Sequence, residues 1–356
     1  MRADLLVLGT GVVGGALLEL LSSERAPRGI HVAGACNTRT PPLTDRLLDG
    51  LAASSPCPVL VDATPADGIE ALYARALGRG IHVVTANKKP LVAPWHVRQE
   101  LFAVAAERGV TVGREATVGA GLPIVGTLGD LVATGDRVRR VDCVLSGTLA
   151  FLCDELHAGT PLSRAIAEAK EKGYTEPDPW EDLGGADVAR KAVILAREIG
   201  LPLEIGDVDL APFAPRGEPI DDAAWARHAA EAEARGERLV YLARIDVDGT
   251  TARASAGLAS LPCAHPAAAS RGPVALASFT TDRYAAEPLV VRGPGAGGPV
   301  TASALVADVL RARGASSTVR ERSAGTTRAG IKAACATPSV SGGSSASRSA
   351  STPAGS

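Results

Sequence analysis

The chain has 356 residues, 46% of them hydrophobic and only 3% aromatic, which suffices for two domains with cores of small aliphatic side chains. A formal net charge of −2 gives no electrostatic support for binding nucleic acid or an anionic membrane. Six cysteines without C-x-x-C spacing argue against a disulfide framework or zinc site. The sequence shows no leader-like start and no apolar run near ~20 residues, so we expect a cytoplasmic protein outside the membrane.

The first third of the chain alternates apolar strands with helical patterns. Strands are predicted at 4–8, 30–36, 59–62, 82–85 and 110–112, and helices at 15–21, 66–79 and 95–108. This rhythm predicts an α/β fold with a Rossmann-type doubly wound parallel sheet. After Pro123 the rhythm changes, which predicts a second, α+β mixed-sheet domain for catalysis and dimerisation. Its predicted helices and strands lie at 124–132, 148–157, 162–171 and at 138–145, 238–246, 251–258, 274–280.

The helix predicted at 300–313 has an apolar face that can pack back on the first domain. We therefore expect residues 1–130 with 295–313 to form the nucleotide-binding domain and residues 131–294 the substrate-binding and dimerisation domain. From 314 to 356 the composition is mostly Ser, Ala, Thr and Gly, which is typical of a disordered tail.

A glycine motif at 9–14 (GTGVVG) lies between the first strand and the first helix. In that position it predicts a dinucleotide site, because its backbone can approach a pyrophosphate at the helix N-terminus; a tight structural turn is the alternative. NAD sites place an acidic residue about 20 residues further on, whereas this chain has the sequence NTRT at 37–40. The absence of an acid and the presence of Arg39 favour NADP(H). The alternative is that Arg39 is an ordinary surface arginine and that the site takes NAD(H). The residues expected at the cofactor are Gly9, Thr10, Gly11, Val12, Val13, Gly14, Thr38, Arg39 and Thr64.

An acidic segment at 174–191 (YTEPDPWEDLGGADVARK) is the most informative part of the chain. Its prolines and Gly-Gly pair predict an ordered loop rather than a helix, and Asp187 then opens a helix. Asp187 and Lys191 stand four residues apart and so reach the same side of that helix. Such a cluster can hold a small zwitterion, with carboxylates for its ammonium and a lysine for its oxygen. The alternative is a solvated loop followed by an ordinary i,i+4 ion pair.

Four further segments accompany these two motifs: 84–90 (VTANKKP), 113–124 (GREATVGAGLPI), 145–151 (LSGTLAF) and 293–298 (GPGAGG). In this order they resemble the homoserine dehydrogenase family, and the resemblance covers residues 4–313. It implies reversible NAD(P)H-dependent reduction of L-aspartate 4-semialdehyde to L-homoserine, for threonine and methionine biosynthesis, by a homodimer or homotetramer. Many members carry a C-terminal regulatory domain that binds amino acids. Nothing after residue 313 predicts one here, so the chain resembles a short form without feedback through such a domain.

The resemblance also implies residue roles. Lys191 would be the acid/base, and Lys88 (or its neighbour Lys89) would lie beside nicotinamide and substrate. A lysine that is desolvated or close to other cations can have its pKa lowered towards neutrality, which makes it a usable proton donor. Glu176 and Asp187 would bind the amino end of the substrate, and Thr148 and Gly173 would line the site. Asp182 would keep the site in order, and Gly295 would contact the cofactor.

Residues 115–122 resemble the family's monovalent-cation site. The carbonyls of Val118, Ala120 and Leu122 recur every second residue, so in an extended stretch they would point the same way. With the Glu115 carboxyl group they would hold Na⁺ or K⁺; a Gly-rich hinge between domains is the alternative.

Two other functions compete with this interpretation. One is an NAD(P)-linked dehydrogenase of the same plan acting on another amino-acid aldehyde or alcohol. The other is a cofactor-binding regulator without catalysis. The second is disfavoured because such proteins tend to lose their acid/base groups, and all of them are present here.

Overall fold

The computed structural model describes residues 1–37 and 43–325, with side chains described as far as residue 316. Its first sheet consists of β1 (Ala3–Leu8), β2 (Ile30–Cys36), β3 (Pro58–Asp62), β4 (His82–Thr85) and β5 (Val112–Gly113). All neighbours pair in parallel, in the order β2-β1-β3-β4-β5. The winding direction reverses between β1 and β3, so the carboxyl ends of these two strands border the crevice in which such sheets bind ligands.

Thirteen α-helices are present in the described part of the chain. In order they are α1 (Val12–Ser22), α2 (Asp45–Ser54), α3 (Glu70–Gly78), α4 (Lys89–Val92), α5 (Trp95–Arg108), α6 (Ile124–Ala133), α7 (Gly147–His157), α8 (Leu162–Glu171), α9 (Pro179–Leu183), α10 (Ala186–Glu198), α11 (Asp222–Ala234), α12 (Pro266–Ala269) and α13 (Gly298–Gly325).

Helices cover both faces of the parallel sheet. Leu5 and Val7 of β1 belong to a core shared with α1 and α13, whereas Leu6 and Leu8 belong to a core shared with α2, α3 and α5. Because successive strand residues point to opposite faces, a continuous apolar strand is what a doubly covered sheet requires. The predicted doubly wound fold is confirmed.

The second sheet consists of β6 (Val138–Val144), β7 (Val208–Leu210), β8 (Glu237–Asp248), β9 (Thr251–Pro262), β10 (Val274–Thr281) and β11 (Leu289–Pro294). Its order is β11-β10-β6-β8-β9-β7, antiparallel except for the parallel pair β7 and β9. Helices α7, α10 and α11 pack on one face, against Leu239, Tyr241 and Ala243 of β8. The predicted mixed sheet is therefore confirmed, and α10 lies between it and α4 and α6 of the first half of the chain.

The last helix differs from the prediction. We expected it to end at Arg313 and a disordered tail to begin at 314, but α13 continues to Gly325. The prediction was wrong for 314–325 because a stretch with few apolar residues still contains helix-forming Ala, Arg and Glu, and because the Ser316 hydroxyl bonds to Nε2 of the buried His82 at 2.7 Å. Residues 326–356 lie outside the described part of the chain.

Candidate active site

The glycine turn after β1 has the geometry of a dinucleotide site. Gly9 has a φ of +86°, and a Cβ on it would stand 2.8 Å from the carbonyl oxygen of Ala63, just beyond β3. Gly11 is the N-cap of α1 without a side-chain cap, which leaves the first N–H groups of that helix for an anion. A Cβ on Gly14 would collide with the Gly9 carbonyl. The backbone is therefore close-packed on the protein side and open on the ligand side, which fits a pyrophosphate.

The other residues predicted at the cofactor are placed as follows. Thr10 Oγ1 accepts a hydrogen bond from Asn37 at 3.0 Å, and Val12 is 80% exposed at the start of α1, next to the partly buried Val13. Thr64 follows β3, on the side of the Gly9 turn. Thr38 and Arg39 lie outside the described residues.

A buried polar network joins the ends of β3 and β4, and the sequence reasoning missed it. The Asp62 carboxylate accepts hydrogen bonds from the Thr64 hydroxyl (2.6 Å), the Tyr73 hydroxyl (2.7 Å) and the Asn87 amide (3.2 Å). Burial, together with the charge of Asp62, holds the pKa of Tyr73 well above its usual value, so its hydroxyl stays a donor. Asn87 also donates to the Ala66 carbonyl at 2.8 Å. This network fixes the backbone immediately before Lys88, and a polar residue at the end of each buried strand was the signal for it.

Lys88 and Lys89 point in different directions. Lys88 Nζ lies 3.1 Å from Oδ1 of Asp187. Lys89 Nζ instead donates to the Pro65 carbonyl and to Asp67, at 2.8 and 2.7 Å. The structure thus brings Lys88, and not Lys89, to the acidic segment.

Helix α10 presents Asp187 and Lys191 to one cavity, as the i,i+4 spacing predicts. Lys191 Nζ lies 2.9 Å from Oδ2 of Asp187 and donates to the Leu145 carbonyl at 2.7 Å. Asp187 therefore bridges two ammonium groups, one from each half of the chain. Gly185, the N-cap of α10, has a φ of +71°, and a Cβ there would collide with the Tyr241 hydroxyl, so only glycine lets α10 start at this place.

The charges of this cluster shift one another's protonation. Burial would raise the pKa of Asp187, but the positive charges of Lys191 and Lys88 outweigh it and hold that pKa well below the usual range. Burial lowers the pKa of Lys88, and Asp187 opposes this only in part. An ammonium group with a lowered pKa gives up its proton more readily, which suits proton transfer.

The acidic loop is tied to α7 through Thr148 and Asp182. The Thr148 hydroxyl donates to the Tyr174 carbonyl at 2.5 Å and lies 3.5 Å from Asp182 Oδ1, while Asp182 Oδ2 accepts the Glu176 N–H at 2.8 Å. Burial, with the negative charge of Asp187, raises the pKa of Asp182. Asp182 therefore holds the loop backbone at Glu176.

The loop is not free of helix. We predicted no helix before Asp187, but Pro179–Leu183 forms α9, because Asp178 caps it by accepting the Trp180 N–H at 3.1 Å and Pro179 suits a first helical turn.

One cavity of about 180 Å³ joins these groups. It is lined by Leu145, Ser146, Gly147, Thr148, Tyr174, Asp182, Gly185, Asp187, Val188, Lys191, Gly295 and Ala296. Gly295 reaches it because its backbone packs on Ala275 at a distance that excludes a Cβ, and Gly298 lies against the Val12 carbonyl of α1. The segment 295–298 thus connects the glycine turn to the lysine cavity. Glu176 and Gly173 are exposed on the same loop and do not line the cavity in this conformation.

The Glu115 segment differs from the prediction. Its carboxylate accepts N–H groups of Val125 (2.9 Å) and Gly126 (3.0 Å) at the start of α6, and the Arg311 guanidinium (3.1 Å). Burial raises the pKa of Glu115, and these donors counteract that shift. The carboxylate is thus bound to the start of α6 and to Arg311.

The stretch that follows Glu115 is also not extended. Residues 115–117 form a 3₁₀ turn, and Ala120 has a φ of +57°. Val118 is fully buried, and none of the hydrogen bonds formed by the described residues ends at its carbonyl oxygen. The Leu122 carbonyl accepts the Ile124 N–H at 2.8 Å. A buried carbonyl without a hydrogen-bond partner can act as a ligand of a cation, so the oxygen ligands available here are backbone carbonyls.

The fold and this cavity define a two-domain dinucleotide-binding protein with a lysine–carboxylate cluster where its two halves meet. The family model for homoserine dehydrogenase matches residues 123–310, and the model for its NAD-binding domain matches residues 9–115. The chain belongs to the homoserine dehydrogenase family.

Known relatives agree with this assignment. The chain is 36% identical to the homoserine dehydrogenase of Emericella nidulans over 86% of this chain and 96% of that protein. It is also 36% identical to the bifunctional aspartokinase/homoserine dehydrogenase 2 of Zea mays, over 86% of this chain but 38% of that protein. It therefore spans less than half the length of such bifunctional plant relatives.

Among solved structures, a hyperthermophilic archaeal homoserine dehydrogenase in complex with NADPH matches with a TM-score of 0.69 and 25% identity, over 88% of this chain and 98% of that one. No helix in the described part of the chain has both the length and the apolar character needed to cross a membrane.

Proposed function

We propose that this chain interconverts L-homoserine and L-aspartate 4-semialdehyde with a nicotinamide dinucleotide. One observation carries the proposal: Lys191 Nζ lies in a cavity, fixed by Asp187 and the Leu145 carbonyl, and the segment 295–298, which lines that cavity, contacts Val12 of the glycine motif in the nucleotide-binding half. A proton donor and a hydride carrier are the two components that carbonyl reduction requires.

When bound, the dinucleotide supplies or accepts the hydride at the carbon that carries the oxygen. In homoserine oxidation, neutral Lys191 takes the hydroxyl proton while the C–H bond breaks and the carbonyl forms. In the reverse direction the Lys191 ammonium returns that proton to the nascent alkoxide. A positioned acid/base of this kind contributes about 10²–10⁴ in rate.

The rest of the cluster would bind the amino-acid end of the substrate. Asp187 and Glu176 offer carboxylates to its ammonium group, and Lys88 and Lys191 pair with different oxygens of Asp187. Thr148 and Asp182 keep the loop in place, and Gly173 permits its sharp turn with a φ of +68°.

The test is a spectrophotometric assay of the purified chain with L-homoserine and each oxidised cofactor. Reduced cofactor should appear with homoserine, and little should appear with L-serine or L-threonine, which differ in length or in the position of the hydroxyl group. Equal rates with all three alcohols would favour a dehydrogenase of another amino-acid alcohol, and no rate with any of them would favour the regulator without catalysis.

For the cofactor we propose a preference for NADP(H), with NAD(H) accepted. The support is the sequence 37–40 (NTRT), which lacks the acid of NAD sites. An arginine forms charge-assisted hydrogen bonds with the 2′-phosphate of NADP, whereas the uncharged 2′-hydroxyl of NAD cannot form such bonds. Arg39→Ala should therefore lower kcat/KM for NADP⁺ far more than for NAD⁺, whereas Arg46→Ala on α2 should change neither. An equal loss for both cofactors in Arg39→Ala would contradict the preference.

A Na⁺ or K⁺ ion is proposed at the carbonyl oxygens of Val118, Ala120 and Leu122, without the Glu115 carboxylate. The fully buried Val118 carbonyl supports this. The melting temperature should be higher in NaCl or KCl than in N-methylglucamine chloride of equal ionic strength, also for Glu115→Gln. Identical melting temperatures in all three salts would contradict the site.

From the family resemblance alone we also propose a cytoplasmic homodimer or homotetramer in threonine and methionine biosynthesis. Light scattering on the purified chain measures its mass. A monomer at the concentration of the activity assay would contradict the assembly.

A further inference from the structure

Arg197, near the C-terminal end of α10, has a side chain that is 0% exposed. A guanidinium group without water is costly unless its N–H groups are bonded to protein. Here Nε donates to the Leu203 carbonyl at 2.8 Å and Nη2 bonds to Glu204 at 2.6 Å, while Nη1 donates to the carbonyls of Leu91 and Ala93. Arg197 does not line the lysine cavity, so these contacts must serve another purpose.

The two carbonyls bound by Nη1, at 2.8 and 2.7 Å, end the helix that begins at Lys88. That helix, α4, is a single turn, Lys89–Val92, with Lys88 as its N-cap. One turn of helix is not stable by itself, so its position depends on what its ends contact. On the other side of Lys88, Asn87 is bonded to Asp62 and to the Ala66 carbonyl. Lys88 is therefore held between two fixed points, and Arg197 provides one of them.

The ion-pair partner of Arg197 extends the same contact. Glu204 accepts the N–H of Trp95, the first residue of α5, at 2.7 Å, and the Trp95 ring lies over the Arg197 guanidinium at 5.7 Å. The Arg197–Glu204 pair thus binds the end of α4 and the start of α5 together.

Helix α10 contacts the nucleotide-binding half at several places, and two of these contacts bear on Lys88. Near its start, Asp187 meets Lys88 at 3.1 Å; near its end, Arg197 binds the last carbonyls of α4. Arg197 follows Lys191 by six residues, about 9 Å along the helix axis. A rigid helix that bears Asp187, Lys191 and the anchor of α4 fixes the distances among all of them.

We propose that Arg197 is a positioning residue for Lys88: by binding the end of α4 to α10 it sets the place of the Lys88 ammonium group relative to Asp187 and the reacting carbon. This inference rests on the proposed function. The side chain touches neither substrate nor cofactor, and its effect is transmitted through four residues of backbone.

The test is Arg197→Lys, which keeps the charge but cannot reproduce the planar fork of donors. A misplacement of about 1 Å costs on the order of 10²-fold in rate, so we expect kcat to fall by roughly 10- to 100-fold while NADPH binding, measured by fluorescence, stays unchanged. The isotope effect on kcat with homoserine deuterated at the carbon that loses hydride should rise, because hydride transfer becomes the slow step. A purely structural role would lower the melting temperature without changing that isotope effect.

Arg98→Lys is the matched control. Arg98 is also a buried arginine in this region, but its guanidinium stacks on the Phe102 and Trp95 rings, 4.2 and 5.4 Å from their centroids. We expect this variant to lose thermal stability and to keep kcat and the isotope effect. If Arg197→Lys does not fold, Glu204→Gln leaves the arginine in place and should give the same changes to a smaller extent.

Hydrogen exchange tests the inference without turnover. The N–H groups of Leu91 and Val92 bond to the Lys88 carbonyl at 3.0 and 3.2 Å, so the peptide 88–93 reports on α4. It should exchange faster in Arg197→Lys than in wild type or Arg98→Lys. If the wild-type protein does not oxidise homoserine, the proposed function is contradicted, but the exchange of peptide 88–93 can still be compared between the variants. Unchanged exchange in the peptide, or an unchanged isotope effect in an active variant, would overturn the role of Arg197.

Discussion

Replacing Asp187 by asparagine should move the pH dependence of homoserine oxidation to lower pH. Asp187 contacts the ammonium groups of Lys191 and Lys88 at 2.9 and 3.1 Å, and both contacts favour the charged forms of the lysines. The base in oxidation must be neutral to accept the hydroxyl proton. Removal of the carboxylate takes away the charge that partly opposes the lowering of the Lys88 pKa by burial, so the Lys88 ammonium loses its proton at lower pH and the rising limb of the kcat/KM profile shifts downwards.

The size of that shift follows from the geometry. A hydrogen bond to a charged group contributes about 1.5–3 kcal/mol. The Asp187 side chain is 44% exposed, so solvent screening reduces this by roughly half. At 1.36 kcal/mol per pH unit the limb should move by roughly 0.5–1 unit. KM for homoserine should rise by roughly 5- to 10-fold, because the substrate ammonium loses the same carboxylate.

The assay is initial-rate oxidation of homoserine across the pH range in wild type, Asp187→Asn and Asp67→Asn. Asp67 pairs with Lys89 at 2.7 Å on the exposed side of α4, and its variant should behave as wild type. An unmoved limb with an unchanged KM, accompanied only by a lower melting temperature, would show that the Asp187 pairs are structural and would refute the reasoning.

Three further outcomes are expected. Lys191→Ala should lose about 10²–10⁴ in kcat with NADPH binding retained; near wild-type turnover would remove Lys191 from the mechanism. Burial lowers the pKa of His82 to about 4, against about 6.5 in the unfolded chain, so the unfolded state binds the proton more readily and stability is lost as the pH falls from 6.5 towards 4. The loss between pH 7 and pH 5 should be about 2 kcal/mol in urea unfolding, and His82→Gln should remove it; an unchanged pH dependence would contradict the assignment. Ending the chain after Arg313 removes Ser316 and leaves His82 Nε2 unpaired, which should cost about 1–3 kcal/mol, whereas ending it after Gly325 should not; equal stability of the two truncated proteins would show that the bond is unimportant.

Features that depend on local spacing were predictable from the sequence. The glycine turn needs only residues 9–14 and a preceding strand, and the side shared by Asp187 and Lys191 needs only the helix period. Both follow from backbone geometry within one element. The parallel sheet was predicted correctly for the same reason, since each strand–helix repeat can be recognised from its own local sequence pattern.

Features that depend on where a side chain finds its partner were not predictable. Glu115 was expected to face a cation, yet its carboxylate meets Arg311, which is distant in sequence. Arg197 received no role from the sequence, because the Leu91 and Ala93 carbonyls that it binds are distant in the chain. The choice between Lys88 and Lys89 likewise required Asp67, which no local pattern connects to them.

The position of α13 late in the chain has a consequence for folding during synthesis. Ala302, Leu305 and Val309 of this helix are fully buried against β1 and β3, although the strands leave the ribosome long before the helix does. Until residues 298–325 emerge, the face of the parallel sheet that α1 covers lacks the rest of its cover, and closing that contact spans nearly the whole chain. The intervening mixed sheet can complete its own pairing first and bring the two ends together. The half of the molecule that is synthesised first is therefore the half that finishes folding last, and its apolar face is the surface that a chaperone would meet on the nascent chain.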